Sequence, residues 1–419
     1  MGYAAVGAAS LLVPLFAISL GAGPFLVGFI AATAAIAGVP GALLWGRLAE
    51  RTGRHRSFVL LSLGLTTLAL GAIPILPTMT SVLVANAVLW FAVSAAAPVL
   101  TLLAVADAPE RDWDTRIGVL STYQGYGWLA GLLAGAGWNA IGSQFVPTTE
   151  AQRFFFYVLA ATTAISFLAG YRLFPGATVT IAEFGRSRRS VERLVRGAGR
   201  RVGLNPISPL RVFWSVRRLH PRTLVASLPA PLVRYLGATF VAFTGFATFF
   251  GPLPAYLTTA AQLDTGDVFA VFLVSGAASA LFYTPAGRLA RRRGPYLPQF
   301  GALGSRVVLF PLIGATAVLP VGGFPVLLSF FALVGISWAV IAVTAAGIVT
   351  RLAPTNLRGD ALGAYTALSG LATGIGSLLG GALATRTGYL ATFGLAGALV
   401  FGGLLVTYRQ YQTGVVRAT

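Results

Sequence analysis

Twelve apolar stretches, each long enough to cross a bilayer, follow one another along this chain, and that succession leaves it few folds. A helix crossing the hydrocarbon core needs about 20 apolar residues. The stretches are 3–20, 25–45, 57–77, 81–106, 116–138, 152–172, 232–257, 266–287, 296–318, 324–350, 360–384 and 389–409. Their length predicts helices and not barrel strands, because lipid requires each backbone polar group to be satisfied within its own segment. Composition agrees: 56% of residues are hydrophobic and 10% charged. About 25% charge is usual for a soluble domain, so this chain lacks the polar residues to wet the surface of a water-soluble fold. The first stretch begins almost at Met1 with no basic segment before it and is joined to a second span. It is expected to be a retained helix and not a cleaved signal, with the position of the start Met left open.

The net charge of +19 comes entirely from arginine, since the sequence holds no lysine. In a soluble protein this would point to nucleic acid; here the arginines fall between spans and report topology. If the N-terminus is cytoplasmic, the inside connections hold Arg47, Arg51, Arg54 and Arg56, then Arg111 and Arg116, then Arg288, Arg291, Arg292 and Arg293. Arg351, Arg358, Arg409 and Arg417 lie on the same side, while the outside connections hold Arg153 and Arg386 with Glu150, Asp264 and Asp267. The positive-inside rule predicts a multi-pass protein of the cell membrane with both termini cytoplasmic. One long connection, residues 173–231, is rich in arginine and separates an N-terminal group of six spans (1–172) from a C-terminal group (232–419). Val191, Leu194 and Val195, or Phe213, Trp214 and Leu219, give it apolar faces suited to an anionic lipid surface; a solvated linker is the other reading. No nucleic-acid module is visible in it.

The two groups resemble each other. Residues 46–53 read GRLAERTG and residues 287–294 read GRLARRRG, each after the second span of its group. Ala108-Pro109, Gly118, Gly125, Gly131 and Gly135 recur in register as Ala353-Pro354, Gly363, Gly370, Gly376 and Gly380. Six spans per group make the repeats parallel, related by an axis along the membrane normal. Transporters built this way hold substrate near the midplane between the halves.

The segment Gly46-Arg47-Leu48-Ala49-Glu50-Arg51-Thr52-Gly53-Arg54-His55-Arg56 resembles the loop signature of the major facilitator superfamily, with Glu50 where that family usually has Asp. The resemblance implies an all-α membrane protein of twelve transmembrane helices in two pseudo-symmetric halves, working as a monomer by alternating access. It also implies a gating cluster at the cytoplasmic end: Gly46, Glu50, Arg51, Gly53 and Arg54 meeting Asp107 at the end of helix 4 and Gly359-Asp360 at the start of helix 11. A carboxylate there would meet exposed helix N-terminal amides. Gly118, Gly127, Gly131 and Gly135 on helix 5 match the spacing of a glycine motif in family antiporters, with Leu132 and Ala136 replacing its proline and last glycine. Close helix packing explains them by itself and is the preferred reading.

The resemblance assigns helices 1, 2, 4, 5, 7, 8, 10 and 11 to the cavity wall. On them stand Asn86, Trp90, Tyr123, Gln124 and Trp128 in the first half, and Phe243, Thr244, Tyr256, Trp338 and Tyr365 in the second. Phe246, Tyr283 and Thr344 are further residues of this kind. Aromatic rings with a few amides and hydroxyls suit an apolar or amphiphilic solute. Arg306 is the one ionisable group well inside a span, by default a functional residue and a candidate binder of anionic substrate. The peripheral place of helix 9, and prolines near its start at Pro295 and Pro298, instead favour a side chain that snorkels to the inner interface.

What is missing narrows the chemistry. No Asp or Glu lies deep in any span, which removes the usual proton relay. With no cysteine, two histidines far apart in sequence (His55 and His220) and no P-loop, the chain carries no recognisable catalytic, metal or nucleotide motif. No cofactor is expected. The partners expected are a small-molecule substrate, membrane lipids and a coupling ion, proton or sodium, left open. The function expected is secondary active transport with a lean to efflux of hydrophobic or amphiphilic compounds. Uptake of a small metabolite, or a non-transporting sensor of the same fold, stand as alternatives.

Overall fold

A computed structural model describes residues 2–52, 55–76, 78–105, 113–142, 144–173, 228–317, 323–354 and 358–412; within these, side chains are described except at 39–55, 95, 97–99, 101–105, 113–119, 121–122, 358–360 and 363. Twelve long helices account for nearly all of it. They are α1 (Gly2–Ser19), α2 (Pro24–Thr52), α3 (His55–Ile75), α4 (Met79–Val105), α5 (Trp113–Gly142) and α6 (Thr148–Leu173) in the first half. The second half has α7 (Ala230–Phe250), α8 (Thr265–Arg293), α9 (Tyr296–Ala315), α10 (Gly323–Leu352), α11 (Arg358–Thr387) and α12 (Tyr389–Gln412). No strand occurs among the described residues. Each expected span coincides with a helix, and the 173–231 connection lies almost wholly outside the described residues.

One span is interrupted. The seventh helix breaks at Gly251-Pro252, resumes as a short turn (Leu253–Ala255), and continues as a π-helical turn (Tyr256–Ala260). Proline here lacks the N–H that would continue the ladder. Gly251 is needed for a second reason: a side chain there would meet the backbone of Ser377 on α11. Other helices also contain prolines, among them Pro14, Pro74, Pro285 and Pro311 within otherwise regular α1, α3, α8 and α9. Buried threonines return their hydroxyl hydrogens to their own helix, as Thr248 does to the Thr244 carbonyl at 2.8 Å and Thr344 to Val340 at 2.7 Å. This satisfies the hydroxyl where no water is at hand.

Packing repeats between the halves. In the first, α1 packs on α5 and α6, α2 on α4, and α3 on α4 and α6; in the second, α7 packs on α11 and α12, α8 on α10, and α9 on α10 and α12. The halves meet along two seams, α2 against α11 and α5 against α8. Exchanging the halves turns one seam into the other, as a two-fold axis demands. Small residues permit these approaches. Gly131 of α5 lies against the Ala4 carbonyl of α1, and its repeat partner Gly376 of α11 lies against the Thr244 carbonyl of α7. A Cβ at either place would overlap backbone.

Candidate functional site

Each half presents aromatic side chains at mid-depth. In the second half Phe243 of α7 meets Trp338 of α10 edge to face at a centroid distance of 6.0 Å, and Tyr365 of α11 at 6.1 Å. Tyr283 of α8 completes the group, its hydroxyl meeting Trp338. All four helices that the resemblance assigns to the cavity wall in this half therefore supply one ring to one cluster, and all four rings keep partial exposure. The first half is plainer, with Trp90 of α4 and Trp128 of α5 tilted together at 6.4 Å.

Arg306 stands directly behind the second-half cluster. Its side chain is 1% exposed. The guanidinium lies 4.3 Å from the ring centre of Phe246, 5.6 Å from Trp338, 5.7 Å from Phe310 and 5.9 Å from Phe250. Nε donates to the Ser337 hydroxyl at 2.9 Å and Nη2 to the Val334 carbonyl at 3.2 Å. Nη1 is buried and has no hydrogen-bond partner. The snorkelling expected from Pro295 and Pro298 is corrected here. α9 begins at Tyr296, so Pro298 occupies its first turn, where a missing N–H breaks no helical bond. Arg306 is ten residues into the helix, about 15 Å along it, and points into the bundle. The cage had partial sequence signals: Phe246 and Phe250, like Arg306 and Phe310, are four apart and so share a helix face. Ser337 and the Val334 carbonyl had none.

The seams close one end of the molecule. Gly28 near the start of α2 lies against Ser377 and Gly381 of α11, and Gly135 of α5 lies against the Phe269 ring of α8. Both contacts are near the connections α1–α2, α5–α6 and α7–α8, at the end away from the termini. A cavity of about 870 Å³ remains there beside Asn139, Gln152, Asp264 and Asp267. Toward the termini, surface opens on α5 and α8. Residues 280–285 of α8 are all exposed, and so are Tyr123, Gly125 and Tyr126 of α5. Six consecutive exposed residues cover more than a full helical turn, so at that level α8 shows open surface on every side, with Tyr283 still reaching Trp338 of α10.

The other predicted site residues sort by surroundings. Asn86 is 2% exposed and knits α4 to α2, donating to the Ile30 carbonyl at 2.9 Å and the Thr33 hydroxyl at 3.3 Å. Thr244 donates to the Phe240 carbonyl at 2.8 Å. Tyr256 is fully buried with its hydroxyl on the Ile313 carbonyl of α9 and the Thr316 hydroxyl. Asn86 and Tyr256 thus tie helices together, Thr244 bonds within its own helix, and none of the three offers open surface in this state. Tyr123 and Gln124 line a pocket of about 450 Å³ among α1, α3, α4, α5 and α6, within the first half. On helix 5, Gly127 and Gly131 face α1 and Gly135 faces α8. Gly46, Glu50, Arg51, Gly118, Gly359 and Asp360 lie on α2, α5 and α11 with side-chain surroundings outside the described residues. Gly53, Arg54 and Asp107 lie outside them altogether.

Comparison with known proteins bears on this arrangement. The sequence profile described as Major Facilitator Superfamily matches residues 1–369. Among curated proteins there is no match. Solved structures are similar over nearly the full length. A point mutant of the nucleoside transporter NupG has a TM-score of 0.70 at 14% identity, covering 98% of this chain and 96% of its own. A point mutant of the peptide transporter POT in complex with sulfate has a TM-score of 0.69 at 16% identity, covering 99% and 93%. The inward-open xylose transporter XylE from E. coli has a TM-score of 0.68 at 15% identity, covering 98% and 93%. At these identities the likeness is one of fold.

Proposed function

The chain belongs to the Major Facilitator Superfamily, and on that footing we propose that it is a secondary transporter exporting hydrophobic or amphiphilic small molecules by alternating access. The superfamily is one of multi-pass membrane transporters and not of enzymes. The observation that carries the choice of substrate class is the ring cluster of Phe243, Tyr283, Trp338 and Tyr365, one from each of four helices, with Trp90 and Trp128 in the other half. A mainly apolar wall with a few hydroxyls binds through buried area and orients through one or two polar contacts. The export direction draws on the antiporter-like glycine spacing in α5, although Gly127 and Gly131 also serve close packing on α1.

In this reading the arginine-rich end faces the cytoplasm of a cell whose plasma membrane holds the protein as a monomer. The exposed stretches of α5 and α8 then support a state closed outside and parted inside. Glu50, Arg54, Asp107 and Asp360 would form the latch that closes the inner end in the alternate state. Gradients drive the cycle, with the coupling ion unassigned. The test is ligand-dependent stability of purified protein followed by counterflow in proteoliposomes. A ligand at a hundred times its dissociation constant stabilises the folded state by about 2.7 kcal/mol. A dose-dependent shift from amphiphiles, followed by saturable counterflow of the same compound, is expected. Binding without counterflow in tightly sealed vesicles would turn the reading to a sensor.

A further inference from the structure

The second half buries a positive charge and supplies no negative one. Its acids are Asp264 and Asp267 at the far end and Asp360 at the start of α11; from 268 to 359 the sequence has none. The helices around Arg306 are α10 and α12, with α8 more lightly and α7 through Phe246 and Phe250, and none carries a carboxylate at its depth. An uncompensated ion in an apolar interior is costly. Four rings and two hydrogen bonds offset part of that cost through their negative faces and lone pairs. They leave Nη1 unsatisfied. A residue kept only for packing has no need of a guanidinium there, since leucine fills space without an orphaned donor.

The position of the unsatisfied group is specific. Arg306 is at mid-depth, where transporters of this build place substrate. Trp338 has the guanidinium on one side and the partly exposed rings of Phe243 and Tyr283 on another. Trp338, itself partly exposed, therefore links the guanidinium to the ring cluster. We propose that Arg306 is the anion-recognition residue of the substrate site, and that the transported compound is an amphiphilic organic monoanion, a carboxylate or sulfonate. Its charged group takes Nη1 when Trp338 moves aside, and its apolar body lies on Phe243, Trp338 and Tyr365. A monoanion neutralises the one cation present; a dianion would bring in a surplus charge with no second cation described nearby. The inference rests on the transport reading and narrows it to a charge class.

The experiment uses the full chain in nanodiscs, following unfolding by tryptophan fluorescence. The probes are 4-phenylbutyrate, an arylalkyl sulfonate of the same length, 4-phenylbutyramide and 4-phenylbutylamine. The two acids are expected to stabilise the protein at concentrations at least about tenfold lower than the amide, and the amine not at all. In Arg306→Gln that preference disappears; in Arg306→Lys it weakens but stays, because a point charge replaces the fork. Whichever acid acts at the lower concentration identifies the anionic group. Equal response to acid and amide in the wild-type chain, or an unchanged acid preference in folded Arg306→Gln, overturns the proposal. The wild-type comparison decides alone if the Gln variant does not fold. Shifts and counterflow with the amide or amine only sink the anion inference and leave transport standing; no shift and no counterflow with any probe sinks both.

Discussion

The two halves share one packing scheme and differ in what they enclose. In both, the first helix packs on the fifth and sixth, the second on the fourth, and the third on the fourth and sixth. Gly131 and Gly376 make the same close backbone approach in each. At the register set by Gly46 and Gly287, Arg306 corresponds to Leu65 of α3; at the register set by Ala108 and Ala353, Ser337 and Trp338 correspond to Ala92 and Val93 of α4. So the first half holds aliphatic side chains where the second holds a guanidinium, a hydroxyl and an indole. Its polar links are helix-to-helix ties such as Ser62 to the Ala92 carbonyl at 2.7 Å. A frame that duplicates needs its glycines in both copies, whereas recognition needs a charge in only one.

That contrast can be broken most sharply by moving the charge. Leu65→Arg places a guanidinium in the half that has no cage for it, and is expected to destabilise by about 3 kcal/mol. Arg306→Leu should unfold within about 1 kcal/mol of the wild type, since a buried charge replaced by an apolar side chain is tolerated, while abolishing transport. Detergent-solubilised Tm and proteoliposome flux separate the two. If Leu65→Arg were harmless, the halves would not differ as described.

The shared frame predicts matched damage. Gly131→Val and Gly376→Val force a side chain into neighbouring backbone and should each cost about 1–3 kcal/mol, similar in size because the crossings are equivalent. Unequal losses in Tm would weaken the symmetry. At the seams the halves differ again: Gly28 meets Ser377 and Gly381 backbone to backbone, whereas Gly135 receives the Phe269 ring. Gly28→Ala should therefore hinder closure of the far end, while Phe269→Ala only loosens it. The smallest effect belongs to Asn86→Ala, which removes the α2–α4 hydrogen bonds at about 0.6 kcal/mol within a bilayer, without altering ligand selectivity.

The sequence carried the helices well because span length and connection chemistry are strong signals. All twelve predicted spans are helices, and Gly251-Pro252 is where the seventh breaks. The repeats at Gly131 and Gly376 were legible for the same reason: only glycine fits a crossing that tight. The facing of side chains was not legible. A span such as α4 or α5 is apolar on every side, so its periodicity does not tell lipid from neighbour or from cavity. Asn86 and Tyr256, expected on the wall, tie helices together, and Thr244, expected there too, turns its hydroxyl back onto its own helix. Arg306 was read as snorkelling because prolines suggested a late helix start, and the partners that hold it inward, Ser337 and Val334, are on another helix.

In the proposed function the halves rock, so that closure at one end goes with parting at the other. The chain has no cysteine, so spin labels can be placed without background. Pulsed electron spin distances would be measured in nanodiscs between labels at Gln144 and Thr387 at the far end, and at Arg172 and Arg292 at the end bearing the termini. All four positions are exposed. With rocking halves, Gly28→Ala is expected to lengthen the far-end distance and shorten the other. Distances that stay fixed at both ends, or that change in the same sense, would contradict it.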